Sequence, residues 1–254
     1  STVGLLGLAG CGSSDTTQPS ASPTATESGH AHWSYEGATG PAEWGSLSPA
    51  YAECSTGQQQ SPINIVDPTV TENANPKVAY TAKTAKVSNT GHDIGMSSPA
   101  GNTIMTGGVT YTLEKTHIHT PSENQLAGKS FAGEFHFVHA SEAKQVAVIG
   151  QFVEVGARND AWEPFIAAAK QQSAKGIGPQ FPIDWSKLIP KLTGTIQFPG
   201  SLTTPPCTEG LSWLVNPTPI TMSQAQLDAL TSIYNNNARP TQPLNGRTVT
   251  QDAK

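Results

Sequence analysis

The sequence predicts a single strand-rich globular domain with few, short helices, and three observations carry that expectation. Runs such as Val109–Leu113, Phe131–Ala140 and Val146–Val155 are rich in β-branched and aromatic residues, and Gly, Pro and Asn clusters separate them. With 24 Gly and 20 Pro in 254 residues, the chain is heavily punctuated by turns. From Trp33 onward no composition shift, repeat or linker divides it, which leaves one domain of about 220 residues, large but within the range of all-β folds.

Taken in order, the N-terminus speaks to location. Gly4-Leu5-Leu6-Gly7-Leu8 is apolar and leads into Leu8-Ala9-Gly10-Cys11, which resembles the lipobox of a bacterial lipoprotein signal. That resemblance implies that residues 1–10 are a removed signal remnant and that Cys11 is lipidated. Of the twenty residues from Gly12 to Ala31, sixteen are Ser, Thr, Pro, Gly or Ala, with no larger aliphatic or aromatic side chain to offset the entropy of ordering. Residues 11–31 therefore read as a lipidated cysteine and a disordered tether, and 32–254 as the folded domain. The expected location is exported: lipid-anchored to the outer face of the cell membrane, or in the periplasm or outer membrane.

Within the domain, helices are expected in two places. Asp160 with Glu163 opens a stretch whose Trp162, Phe165, Ile166 and Ala169 share one helical face. Ser223 with Gln226 forms a capping-box pattern ahead of Leu227, Leu230 and Ile233. Both read as helices packed against a sheet. Lys+Arg 14 against Asp+Glu 19 gives a net charge of -5 with no basic run, which argues against a nucleic-acid partner. No apolar run reaches the roughly 18 to 20 residues of a membrane-spanning helix, so the only membrane attachment expected is the Cys11 lipid. Cys54 and Cys207 are either a disulfide or two buried thiols, and the export signal favours the disulfide. In a chain-entropy model, closing so long a loop stabilises by about 4 to 5 kcal/mol.

The chemistry-bearing residues begin with His117 and His119. Two apart in a strand-like run, they project from one face with Cα atoms roughly 7 Å apart, within reach of one metal ion. His136 and His139 lie three apart in Gly133–His139, so they occupy opposite faces and only one can join the pair. Glu134 and Val138 share the face of His136, which puts a carboxylate beside that imidazole. His139 then reads as a core histidine. Three neutral histidines with a vacant fourth position make a catalytic rather than a structural zinc site.

Ordered segments along the chain then resemble a known family. They are His32-Trp33-Ser34-Tyr35, Glu43-Trp44-Gly45, Gln60-Ser61-Pro62-Ile63-Asn64-Ile65, Asn89-Thr90-Gly91-His92 and His117-Ile118-His119-Thr120-Pro121-Ser122-Glu123. The series continues through Glu134–His139, Phe198-Pro199-Gly200-Ser201-Leu202-Thr203-Thr204-Pro205-Pro206 and Arg239-Pro240-Thr241-Gln242-Pro243-Leu244-Asn245-Gly246-Arg247. Together they resemble an α-class carbonic anhydrase. The resemblance implies a mainly β fold: a large central, twisted, mostly antiparallel sheet with short peripheral helices, in a catalytic domain over 32–254.

It also implies zinc held by His117, His119 and His136 with Glu134 as an outer acceptor, and a zinc-bound hydroxide that hydrates carbon dioxide reversibly to bicarbonate and a proton. His92 would shuttle that proton to buffer, since histidine titrates near neutrality. Glu123, acting only as an acceptor, would take the Thr203 proton so that the threonine must accept in turn. Val138, Val148, Leu202, Leu211 and Trp213 match an apolar wall that binds carbon dioxide, and Thr204 would line the product side.

Three positions depart from the family pattern. Lys115 stands where a glutamine usually accepts from the first zinc histidine, and lysine has donors only. Asn124 and Phe198 replace the usual histidine and tyrosine of a network around Glu134 and His139, a pair of changes consistent with a matched rewiring. The alternative function is a catalytically weak or inactive surface binding or adhesion module, resting mainly on Lys115. A zinc-scavenging lipoprotein would carry a His-rich tract, whereas the expected tether has only His30.

Overall fold

The computed structural model of the protein describes residues 31–253 apart from 73 and 74. Cys11, the expected signal remnant and all of the expected tether except Ala31 lie outside the described residues. Ala31 packs against a small N-terminal cluster, and its carbonyl accepts from Tyr51 Oη at 3.0 Å.

Fourteen strands are described: β1 Asn64–Ile65, β2 Thr69–Thr71, β3 Lys77–Tyr80, β4 Thr84–Asn89, β5 Ile94–Ser97, β6 Asn102–Thr106, β7 Val109–His119, β8 Gln125–Leu126, β9 Gly133–Ala140, β10 Val146–Val155, β11 Gly176–Pro182, β12 Ile196–Ser201, β13 Glu209–Met222 and β14 Thr250–Asp252. Twelve form one sheet with the path β11-β4-β5-β7-β9-β10-β13-β12-β14-β2, and β3 and β6 branch from β7. Its pairings are antiparallel except β10 with β13 and β14 with β2. The fold is thus mainly β on a large, mostly antiparallel sheet, as the sequence and its resemblance imply. The expected strand from Phe131 begins at Gly133, and Phe131 instead packs in the loop before it, stacked on Phe152 at 4.3 Å.

The helices are short: α1 Trp44–Leu47, α2 Glu53–Thr56, α3 Glu163–Gln171 and α4 Gln224–Thr231. The turn into α3 is capped one residue earlier than Asp160, by Asn159, whose side chain accepts from the Ala161 amide. Ser223 and Gln226 form the reciprocal capping box at α4.

The two faces of the sheet carry different cores. On one face Phe135, Phe137 and Ile149 pack against Trp162, Phe165 and Ile166 around α3 and against Leu227 and Leu230 of α4. On the other, Val148, Phe152, Leu211 and Trp213 form a second cluster with Ile63, Ile65 and Phe198. A register shift between Leu113 and Lys115 in β7 decides which residues face which side. Before it Tyr111 and Leu113 point into the first core, and after it Thr116 and Ile118 do. His117 and His119 are thereby turned to the second face.

A disulfide joins Cys54 in α2 to Cys207 across 153 residues, with Cα atoms 5.0 Å apart. It ties the N-terminal cluster to the loop between β12 and β13.

Candidate metal centre and its surroundings

Adjacent strands assemble the site. His117 pairs with His136 across β7 and β9, and His119 pairs with Glu134. On the outer flank of β7, Gly95 sits opposite His117, where an added Cβ would come within 2.9 Å of the His117 Cβ. Gly150 of β10 lies opposite His136, and a Cβ there would meet Glu134 Oε1 at 2.6 Å and Val215 at 3.3 Å. Both glycines make room for the groups beside them.

One ring nitrogen from each of His117, His119 and His136 lies within 4.8 Å of the others. His119 and His136 are almost fully buried. The Asn237 carbonyl accepts from His119 Nδ1 at 2.6 Å, which places the proton there and leaves Nε2 as a lone pair. That Nε2 is buried without a hydrogen-bond partner and faces Glu123 Oε2, also unpartnered, at 3.4 Å. His136 presents Nε2 to Glu134 Oε1 at 3.3 Å and turns Nδ1 toward Glu123 Oε2 at 3.8 Å. Bare lone pairs converging beside a carboxylate are a poor arrangement without positive charge between or near them. Three imidazoles with no thiolate suit zinc, so the residues present fit the ion. Burial first, then His136, depresses His119 to about 3, keeping it neutral at physiological pH.

Glu134 is itself held by three donors. The Glu123 and Asn124 amides donate to its Oε2 at 3.0 and 2.8 Å, and Asn124 Nδ2 donates to Oε1 at 2.8 Å. Asn124 also accepts from the Ile63 amide at 3.0 Å, so this departure from the family pattern leaves no amide group idle. Phe198 stacks on Trp213 with ring centroids 6.0 Å apart and ring planes nearly parallel. His139 is served from elsewhere: Tyr80 Oη donates to its Nε2 at 2.6 Å, and its Nδ1 meets the Ala147 carbonyl at 3.3 Å. The rewired network is therefore satisfied by Asn124 on one side and Tyr80 on the other.

Burial depresses His139 from 6.5 to about 4. The unfolded chain takes up that proton at higher pH than the folded one, so stability present above pH 6.5 is lost as the pH falls toward 4. The loss is expected to be on the order of 3 kcal/mol. Urea unfolding at neutral and acid pH should show a smaller acid loss for His139→Gln, which still accepts from Tyr80, than for the unaltered chain.

Among the described residues, His117 has no carboxylate or carbonyl facing it as Glu134 faces His136 and the Asn237 carbonyl faces His119. Its Nδ1 is buried with no hydrogen-bond partner. Lys115, on the same strand face, is exposed and has no acceptor to offer. Replacing Lys115 by Gln is expected to tighten zinc binding about tenfold by supplying that acceptor. Competition with a chromophoric chelator measures this directly, and an unchanged affinity would show that His117 needs no protein acceptor.

Glu123 is buried, its Oε1 accepts from the Arg239 amide at 2.8 Å, and Thr203 is near enough to pull its pKa down. Burial pushes it up to about 7, against the opposing pull of His136, Arg239 and Thr203. Val138, Val148 and Trp213 stand side by side across β9, β10 and β13. Val148, Leu211 and Trp213 belong to the second core cluster, with Val138 and Leu202 packed against it. Trp213 meets the His136 ring edge-on at 4.8 Å. Thr204 is half-buried in the same loop as Thr203. His92 follows β4 and precedes the β5 segment that pairs with His117, and its ring stacks on Trp33 at 3.7 Å. Burial first, then Lys175 and His32, lowers its pKa.

Sequence reasoning did not single out Asn237, Arg239 or Tyr35. Arg239 lies in a segment that carries the resemblance, but its role runs through a backbone N–H, which no side-chain pattern signals. Asn237 acts through its carbonyl as well as its side chain. Tyr35 Oη is buried without a partner, and its phenol is pushed well above 10 by burial, then by Glu123 and Asp93.

This geometry has close counterparts. The family model described as eukaryotic-type carbonic anhydrase matches residues 39–253. A carbonic anhydrase of Neisseria gonorrhoeae is 42% identical over 227 residues, covering 89% of this chain and 90% of the relative. One from Pectobacterium atrosepticum is 38% identical, with coverages of 89% and 93%. Among solved structures, the α-carbonic anhydrase of Thermovibrio ammonificans in complex with the inhibitor sulfanilamide superposes with a TM-score of 0.82 at 36% identity, covering 87% of this chain and all of that one. Dioscorin complexed with ascorbate superposes at 0.81 with 30% identity, covering 87% of this chain and 97% of that one. A triple-histidine cluster on this sheet and a match across nearly all of the described residues lead to one conclusion: the chain belongs to the α-class carbonic anhydrases, a family of lyases.

Proposed function

We propose that this chain catalyses the zinc-dependent, reversible hydration of carbon dioxide to bicarbonate and a proton. The observation that carries the reading is the convergence of one ring nitrogen from each of three histidines beside Glu123 and an apolar wall. His117, His119 and His136 would hold zinc, which when bound lowers the pKa of water to about 7, a value taken from carbonic anhydrases themselves.

The chain's own residues do the rest. Positive charge at the cluster opposes the burial that raises Glu123 and favours its ionised form, which can only accept. Thr203 then donates to Glu123, so its oxygen accepts from the attacking water and turns that water's lone pair toward the wall. Val138, Val148, Leu202, Leu211 and Trp213 offer an apolar seat that suits uncharged carbon dioxide and not bicarbonate. Thr204 lines the exit side, and His92, half-exposed at the rim, takes the proton through water and passes it to buffer. Glu134 fixes the tautomer of His136 from behind.

Export belongs to the same proposal, with residues 32–254 as the catalytic domain, 11–31 as a tether and Cys11 as its lipid anchor. The Cys54–Cys207 disulfide supports an oxidising compartment. The second reading, a catalytically weak surface module, draws on Lys115 and the unpartnered Nδ1 of His117. Stopped-flow hydration with chelated and zinc-reloaded protein separates the two. Activity that vanishes with the metal and returns on reloading is the expected result, and stoichiometric zinc without hydration would favour the surface module.

A further inference from the structure

The segment from Tyr234 to Asn237 touches both the strand end that carries His119 and the turn that carries His92. Asn237 is buried, and its side chain uses both of its N–H groups and its oxygen. Oδ1 accepts from the Thr120 amide at 2.8 Å, while Nδ2 donates to the Ile118 carbonyl at 3.1 Å and to the His92 carbonyl at 3.3 Å. A second tie runs in parallel. Thr120 Oγ1 donates to the Tyr234 carbonyl at 3.1 Å, and Tyr234 Oη donates to Asn89 Oδ1 at 2.6 Å. Asn89 Oδ1 also accepts from the Gly91 amide at 2.9 Å, so this bond reaches the turn just ahead of His92. Asn236, at a φ of 57°, supplies the left-handed residue that lets the chain reverse between the two ties, a conformation asparagine adopts at low cost.

The remaining support of the turn is of a different kind. Thr90 Oγ1 accepts from the His92 and Asp93 amides, bonds internal to the turn. Asn89 Nδ2 donates to the Gln172 and Ser173 carbonyls, which hold the turn to the α3 side and not to the metal cluster. The pairing of Gly95 with His117 holds the far end of the turn to β7, and among the described side-chain bonds only those of the Tyr234–Asn237 segment refer the turn at His92 itself to the strand of the metal ligands.

We propose that the side chains of Tyr234 and Asn237 are positioning groups for proton export: they fasten the His92 turn to the end of β7, fixing the water-filled distance between the metal cluster and the shuttle. The inference rests on the reading of His92 as that shuttle. Transfer through ordered water depends steeply on where its terminal acceptor stands, and a displacement of about 1 Å costs up to about a hundredfold in a positioned reaction. A turn without these two ties keeps its fold through Thr90 and Asn89 and stays joined to β7 at Gly95, but loses the bonds that fix it at His92 itself.

The test uses the zinc-loaded full chain and compares two rates. Exchange of label between carbon dioxide and bicarbonate at chemical equilibrium needs no proton export to buffer, whereas net hydration in weak buffer does. Asn237→Asp keeps the acceptor for Thr120 and removes both Nδ2 donors, and Tyr234→Phe removes only the hydroxyl. In each, net hydration is expected to fall about tenfold relative to exchange, and added imidazole is expected to restore it, as in a His92→Ala control. Should one variant fail to fold, the other still decides. A ratio equal to that of the unaltered chain in the variants that fold, or a parallel loss of both rates that imidazole does not rescue, overturns the inference. A His92→Ala chain with undiminished net hydration in weak buffer overturns the shuttle reading, and this inference with it.

Discussion

Replacing His119 by Ala is expected to abolish stoichiometric zinc binding and return carbon dioxide hydration to the uncatalysed rate. No other cluster of three metal-binding side chains occurs among the described residues. His119 is also the best fixed of the three ligands, with its Nδ1 proton on the Asn237 carbonyl and its ring fully buried. Removing it leaves that carbonyl without a donor and Glu123 Oε2 facing a void, and neither His117 nor His136 can shift to compensate while their strands stay paired. Metal content by mass spectrometry and hydration by stopped flow check the result together. A variant that keeps both would remove His119 from the ligand set.

Glu123→Gln is expected to lower hydration by about a hundredfold or more while zinc remains bound, the range seen when one aligned hydrogen-bonding group is lost from a transition state. Glutamine preserves size and can still accept from the Arg239 amide. Its amide nitrogen, however, donates toward Thr203, so the threonine is no longer obliged to donate inward and accept from the attacking water. The expected signature is a fall in kcat without loss of metal, which separates it from His119→Ala. Retention of full activity would assign the orientation of Thr203 to some other group.

Much of the site was legible from spacing alone. The two-residue interval between His117 and His119 places them on one strand face whatever surrounds them, and the three-residue interval between His136 and His139 forces them apart. In the structure His136 joins the cluster and His139 lies against Tyr80 in the opposite core. The capping box at Ser223 and the apolar face of the helix around Trp162 were legible for the same reason, since local backbone geometry fixes which side chains meet.

Which side of the sheet those faces would occupy was not local information. Unbroken alternation along β7 would put Tyr111, Leu113, His117 and His119 on one face, burying the histidines in the aliphatic core. The register shift at Glu114 and Lys115 reverses the alternation and separates them, and its cause lies in pairing with β9 rather than in the residues of β7. The partners that fix protonation came from equally distant points of the chain: Asn237 for His119, Arg239 for Glu123, Tyr80 for His139. Two of these act through backbone atoms, which every residue possesses. The sequence by itself determined the ligand types, their faces and the strand-rich class, because these follow from side-chain chemistry and a two-residue period. Only the tertiary structure decided which face closes over the metal site and which lone pairs stay bare, because hydrogen bonds between distant segments exist only once the sheet has assembled.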